Sequence, residues 1–236
     1  MDSRNRRVLV LRHAEPEHLG AIAHALVLEG VGYTYVSPYG GQDVPVTLDG
    51  FGGLVLMGGP QSVYEEDKYP FLKEEKRLTS QAIERDVPVL GVCLGSQLLA
   101  EVLGSKVHSG AVFELGWKKV MLNPEASSDR VLGHLPKEIT PFHWHGDIYD
   151  LPPGAKLLAS SQLTQVQGFA FRDRFYGLLF HLEVGTEQIA AMTATFPDDV
   201  RRGGATTEGI MAESPERVEA LRDSGVEAFR RWAALV

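Results

Sequence analysis

The feature that most constrains the fold is an alternation in the first 104 residues. Short strand-like runs recur: RRVLVLR at 6–12, YTYVS at 33–37, GLVLMGG at 53–59 and VPVLGV at 87–92. Three stretches of helical spacing lie among them: 17–29, which stops at Gly30; 70–86, which opens with Pro70; and 96–104, with Gly104 at its end. Continuous apolar strands are covered on both faces, and strands that alternate with helices pair in parallel through right-handed crossovers. From 105 to 181 short strands and turns follow one another, which predicts antiparallel additions to the same sheet. A helix is predicted over 185–196, a mobile Gly-, Pro- and Thr-rich loop over 197–215, and an amphipathic helix over 215–233. The expectation is one α/β domain over 1–236, doubly wound around a mostly parallel sheet.

Composition removes several function classes. No apolar run reaches the roughly 18 to 20 residues that span a bilayer, and the N-terminal VLVL is too short for a secretory signal. The chain has one cysteine, so no internal disulfide is possible and a reducing cytoplasm is the expected location. Net charge is −8 and no basic stripe stands out, so no nucleic-acid partner is expected, nor a membrane.

That cysteine, Cys93, sits in GVCLGSQ, between an apolar strand and a helix, with Gly91 and Gly95 on either side. A helix N-terminus favours a thiolate through its free N–H groups and dipole. A glycine-flanked strand-to-helix turn is the cysteine counterpart of the serine nucleophile elbow, and the next amide, Leu94, points at an oxyanion on the substrate. A base is available in FYGLLFHLE, where His181 and Glu183 are two apart; on a strand they share a face, and the carboxylate can fix the imidazole tautomer.

GVCLGSQLLAEVLG resembles the nucleophile motif of class I (triad-type) glutamine amidotransferases, GLLFHLE resembles their His-x-Glu motif, and LVLMGGP (54–60) their oxyanion loop. The order of the segments and the chain length also fit. The resemblance implies a flavodoxin-like fold and a catalytic set of Cys93, His181 and Glu183. It implies an oxyanion hole from the Leu94 and Gly59 amides, with Gly58, Gln97, Gly168 and Phe169 binding substrate. L-Glutamine would be hydrolysed through a γ-glutamyl thioester, and ammonia would pass to an acceptor, with a separate synthetase subunit as the candidate partner. No cofactor is implied. Leu182 stands where the family often has proline, and Ser96 where His, Met or Gln is common. The chain has no GxxxxGK[ST] pattern, so any synthetase is expected on another polypeptide. Two other readings remain open: a γ-glutamyl hydrolase with the same chemistry, and a non-catalytic regulatory protein with the same fold.

His143-Trp144-His145-Gly146-Asp147 is the second dense polar cluster. His143, His145 and Asp147 share a strand face, but no further ligand cluster is evident, so His143 and His145 are assigned to the pocket rim and no metal is assigned. Arg12-His13-Ala14-Glu15 ends the first strand, where it either lines the cleft or forms a solvated loop. Residues 41–45 and 197–213 are candidates for a partner contact or a lid.

Overall fold

The computed structural model of the chain describes residues 6–236. The four leading strands are β1 (Arg7–Leu11), β2 (Gly32–Val36), β3 (Gly53–Leu56) and β4 (Val89–Val92), paired in parallel in the order β2–β1–β3–β4. Their helices are α1 (Ala21–Leu28), α2 (Phe71–Glu84) and α3 (Leu94–Val102). Strand periodicity divides the core. Val8, Val10, Val55 and Val92 face one side, against Ile22 and Leu26 of α1. Leu9, Leu11, Leu54 and Leu56 face the other, against Leu72 and Leu78 of α2 and Leu98 of α3. Because the chain steps from β1 to β2 on one side and then crosses back to β3 and β4 on the other side of β1, a crevice opens at the carboxyl ends of the central strands.

The sheet continues through β11 (Phe175–Leu178), parallel to β4. Beyond it lie β10 (Gly168–Phe171), β9 (Lys156–Ser160), β6 (Val120–Leu122) and β7 (Glu138–Ile139), all antiparallel to their neighbours. These are the predicted additions, with one exception. β5 (Val107–Trp117) and β8 (Phe142–Tyr149) leave the sheet and form their own antiparallel ribbon. The ribbon has a separate small core, in which Leu115, Phe142 and Trp144 pack with Ile189 and Met192, so it does not need the sheet to bury its apolar side chains.

The predicted mobile loop at 197–215 is helical instead. After α4 (Thr186–Thr195) comes α5 (Pro197–Arg202), then α6 (Thr207–Ala233). Pro197 stands in the first turn of α5 with Asp198 and Asp199, and Arg201 and Arg202 in the last, the arrangement that complements a helix dipole. α6 starts at a Thr206 side-chain cap and runs through Pro215. Proline costs an interior helix an amide donor, but buried residues on both sides, Ile210 before it and Phe229 and Trp232 after it, hold the helix in register.

α1 begins at Ala21 rather than at residue 17 because tertiary contact sets its start. Gly20 has φ of 50°, Ala21 N–H donates to the Glu183 carbonyl at 2.8 Å, and a Cβ on Gly20 would strike that carbonyl. Gly20→Ala is therefore expected to destabilise the fold by about 1–3 kcal/mol, read from thermal or denaturant unfolding. A change below about 0.5 kcal/mol, the ordinary surface value, would show that this junction is not tight.

Candidate active site

Strand β4 passes into helix α3 at one residue. Cys93 has φ of 52° and ψ of −112°, a left-handed conformation that non-glycine residues seldom adopt. Both flanking glycines are required by close approach. A Cβ at Gly91 would meet the Gly95 carbonyl, and one at Gly95 would meet the Leu56 carbonyl of β3. The turn is locked by Cys93 N–H to the Leu178 carbonyl (2.8 Å), Gly95 N–H to the Met57 carbonyl (3.1 Å) and Ser96 Oγ to the Cys93 carbonyl (2.7 Å). The thiol is thereby held at the top of the sheet, with Sγ 3.4 Å from the Trp144 carbonyl.

His181 and Glu183 come to the same place by a different route from the one predicted. β11 ends at Leu178, and His181 is anchored by an isolated bridge to Phe142, its N–H donating to the Phe142 carbonyl at 2.8 Å. His181 Nδ1 lies 2.6 Å from Glu183 Oε1, with both side chains fully buried. Burial disfavours the imidazolium, but the Glu183 carboxylate and the neighbouring Cys93 outweigh it and hold the His181 pKa well above its usual value. Burial pushes the Cys93 thiol up, while hydrogen bonding and charge from His181 and the Leu94 N–H pull it back.

A cleft over the thiol is lined by Gly59, Cys93, Leu94, Gln97 and His145. Gly58 lies just behind Gly59, its α-carbon against the Glu17 carboxyl. Neither the Leu94 nor the Gly59 amide donates to a backbone oxygen among the described residues, and the Leu94 N–H faces the Cys93 sulfur. Gln97 is engaged elsewhere, its Nε2 donating to the Asp147 carbonyl at 3.1 Å. Gly168 and Phe169 do not line the cleft: they are buried in β10, and the Phe169 ring packs edge-on against Tyr149. The wall in that direction is Trp144–Asp147 of β8. His143 is buried behind this wall.

The class-I glutamine amidotransferase model matches residues 18–196. The chain belongs to this family. It is 37% identical over 185 residues to a glutamine-hydrolysing GMP synthase from Janthinobacterium sp., covering 71% of this chain and 32% of that protein. The chain thus spans about a third of the GMP synthase it matches. It is 31% identical to the glutamine amidotransferase-like protein YfeJ of Salmonella typhimurium, covering 79% of both chains. A glutamine amidotransferase from Thermotoga maritima superposes with a TM-score of 0.88 at 31% identity, over 96% of this chain and 97% of that one. Family and fold agree on a class I glutamine amidotransferase, and no helix of the described residues is long and apolar enough to cross a membrane.

Three further features stand around this site, two of them in the segments 12–15 and 197–213 that the sequence singled out without assigning a role to these residues. Glu17 lines the cleft with Oε2 buried and unpartnered. Burial raises its pKa, against the attraction of His181. Arg202 and Asp199 of α5 stand at the cleft mouth, Arg202 over the Phe113 ring and Asp199 accepting from Trp144 Nε1 at 3.1 Å. The mouth therefore carries both signs of charge, which suits an amino-acid ligand. Third, His13 is buried rather than part of a solvated loop; only Arg12 and Glu15 of its tetrapeptide reach solvent.

His13 Nε2 lies 2.8 Å from Glu75 Oε2, and Nδ1 reaches the carbonyls of Met57 (3.0 Å) and Gly58 (3.2 Å). All these partners are acceptors, so the ring satisfies them as an imidazolium. Burial opposes that charge, and Glu75 with the two carbonyls overcomes it, raising the His13 pKa. The pair thus fastens α2 to the 57–59 loop that borders the thiol. Because the folded pKa is raised, the pair's contribution is complete below the ordinary value of 6.5 and is lost as pH climbs through the folded value. Glu75→Gln is expected to cost about 3–5 kcal/mol in denaturant unfolding at pH 6, with a smaller deficit at high pH. A deficit that grows with pH would contradict the assignment.

Proposed function

We propose that Cys93 is the nucleophile of a glutaminase half-reaction, with His181 as acid–base and Glu183 as its orienting carboxylate. The observation that carries this reading is the strained Cys93 turn beside the buried 2.6 Å His181–Glu183 pair. The Cys93 thiolate adds to the side-chain carboxamide carbon of glutamine. The oxyanion that forms is within the province of the Leu94 and Gly59 amides, which donate to no backbone oxygen among the described residues. The imidazolium of His181 protonates the carboxamide nitrogen, the C–N bond breaks, and ammonia leaves a γ-glutamyl thioester. Neutral His181 then takes a proton from water, whose oxygen attacks the thioester. Glutamate is released and the thiolate is restored. Glu183 remains charged and keeps the ring in the tautomer that faces sulfur.

Ammonia is proposed to serve an acceptor reaction on a synthetase. Support for that step comes from the glutamine-hydrolysing GMP synthases, about a third of whose length this chain matches. Nothing in the site favours a γ-glutamyl amine over glutamine, and the complete Cys93–His181–Glu183 set weighs against a purely regulatory role.

Two measurements test this reading. Purified protein should release glutamate from L-glutamine, and Cys93→Ala should lower that rate by on the order of 10⁴-fold or more. Equal release by both proteins would sink the proposal. In the same assay Glu183→Gln should lower kcat on the order of 10³–10⁴-fold. It should also move the alkaline limb of the pH profile downward, because the carboxylate raises the His181 pKa and its loss lets the imidazolium deprotonate earlier. An alkaline limb that stays in place would remove Glu183 from the role assigned here.

A further inference from the structure

Behind the cleft wall lies a buried cluster that the glutaminase reading does not use. β5 and β8 are paired so that Glu114 is directly opposite His145, and His143 lies two residues away on the same face. His143 Nδ1 is 3.4 Å from His145 Nε2, and His145 Nε2 is 3.5 Å from Glu114 Oε2. One ligand atom from each residue lies within 4.8 Å of the other two, and all three side chains are buried. The sequence pattern places Asp147 with the two histidines. In the structure Asp147 turns away to accept from Ser109 Oγ at 3.2 Å, and Glu114 from the neighbouring strand takes the third position.

We propose that Glu114, His143 and His145 form a binding site for a borderline divalent transition-metal ion, with Zn²⁺ as the best fit. The separations support it. Ligands about 2.0–2.1 Å from a tetrahedral Zn²⁺ stand roughly 3.4 Å apart, and the two measured gaps match that edge. The donor set supports it too, since two imidazole nitrogens and a carboxylate oxygen suit zinc better than Ca²⁺ or Mg²⁺, which prefer all-oxygen shells.

The surroundings add a second, independent observation. Glu114 Oε2 is oriented by Thr164 Oγ1 at 2.5 Å and Gln167 Nε2 at 3.2 Å, and Gln167 is itself tied to Ser161 Oγ at 3.1 Å. Outer hydrogen bonds of this kind orient a metal-binding carboxylate. Meanwhile the converging His143 Nδ1 and His145 Nε2 make only one contact, at 3.4 Å, and two imidazoles can share only one proton across it. A cation held by Glu114 Oε2, His143 Nδ1 and His145 Nε2 would replace that single contact with three ligand bonds. Glu114 Oε1 or a water from the cleft, which His145 borders, completes four-coordination. The ion would fasten β5 to β8 and fix the Trp144–Asp147 wall without touching the Cys93 thiol.

The test is titration of the full chain with Zn²⁺ alone against a chromogenic chelator, after stripping with EDTA, with folding checked by circular dichroism. One ion per chain is expected in the wild type and equally in Cys93→Ala, which removes the thiol as a ligand. Thr164→Val should weaken binding about 10- to 100-fold, and Glu114→Gln at least as much. Co²⁺ in place of Zn²⁺ should give the visible bands of a four-coordinate nitrogen–oxygen site with no thiolate charge-transfer band. Absence of stoichiometric binding, or binding abolished by Cys93→Ala, would overturn the proposal. So would unchanged affinity in a folded Glu114→Gln protein, and if that variant does not fold, unchanged affinity in Thr164→Val decides against the site.

Discussion

The site depends on a backbone conformation at one residue. Cys93 lies in left-handed space between β4 and α3, where a residue with a β-carbon is strained. That strain persists because the surroundings leave the chain no alternative. The Leu178 carbonyl takes the Cys93 amide, and α3 packs so tightly on β3 that Gly95 touches the Leu56 carbonyl. The same geometry aims the thiol out of the sheet, turns the Leu94 amide toward the sulfur, and puts the first turn of α3 beneath it. The placement of the thiol, the Leu94 amide and the helix dipole thus follows from a single turn.

Around that turn the protein gathers an unusual amount of buried ionisable chemistry. His13–Glu75 secures the loop in front of the thiol, His181–Glu183 stands beside it, Glu17 looks in from the turn before α1, and Glu114, His143 and His145 back the far wall. Each group would be costly alone in a low-dielectric interior. The parallel sheet makes the arrangement possible, because its carboxyl edge collects loops from β1, β3, β4 and β11 in one crevice while the two apolar cores lie along its faces. The β5–β8 ribbon, with its own small core, roofs that crevice.

Much of this was legible in the sequence where local chemistry speaks for itself. The apolar strands β1, β3 and β4, the glycines around Cys93 and the His-x-Glu spacing are short-range patterns, and each lands in the predicted place or close to it. Less legible were features set by distant partners. Residues 197–215 look like a loop by composition, yet Pro197 and Thr206 act as helix starts once α4, α6 and the ribbon supply an apolar surface for Val200 and Ile210. Glu17 and His13 carried no motif; only the bend at Gly20 and the partner on α2 turn them inward.

The sequence by itself determined the alternating α/β plan, the strand-to-helix turn at Cys93 and the family, because strand and helix periodicities and a glycine-flanked cysteine are written in neighbouring residues. Tertiary structure alone decided which polar side chains share the interior. Glu114 meets His145 through a strand register, Glu17 approaches His181 across more than 160 positions of chain, and Asp147 turns from the histidines beside it toward Ser109. Such encounters depend on how elements pack, and packing is set by the shape of the whole core rather than by any local run of residues.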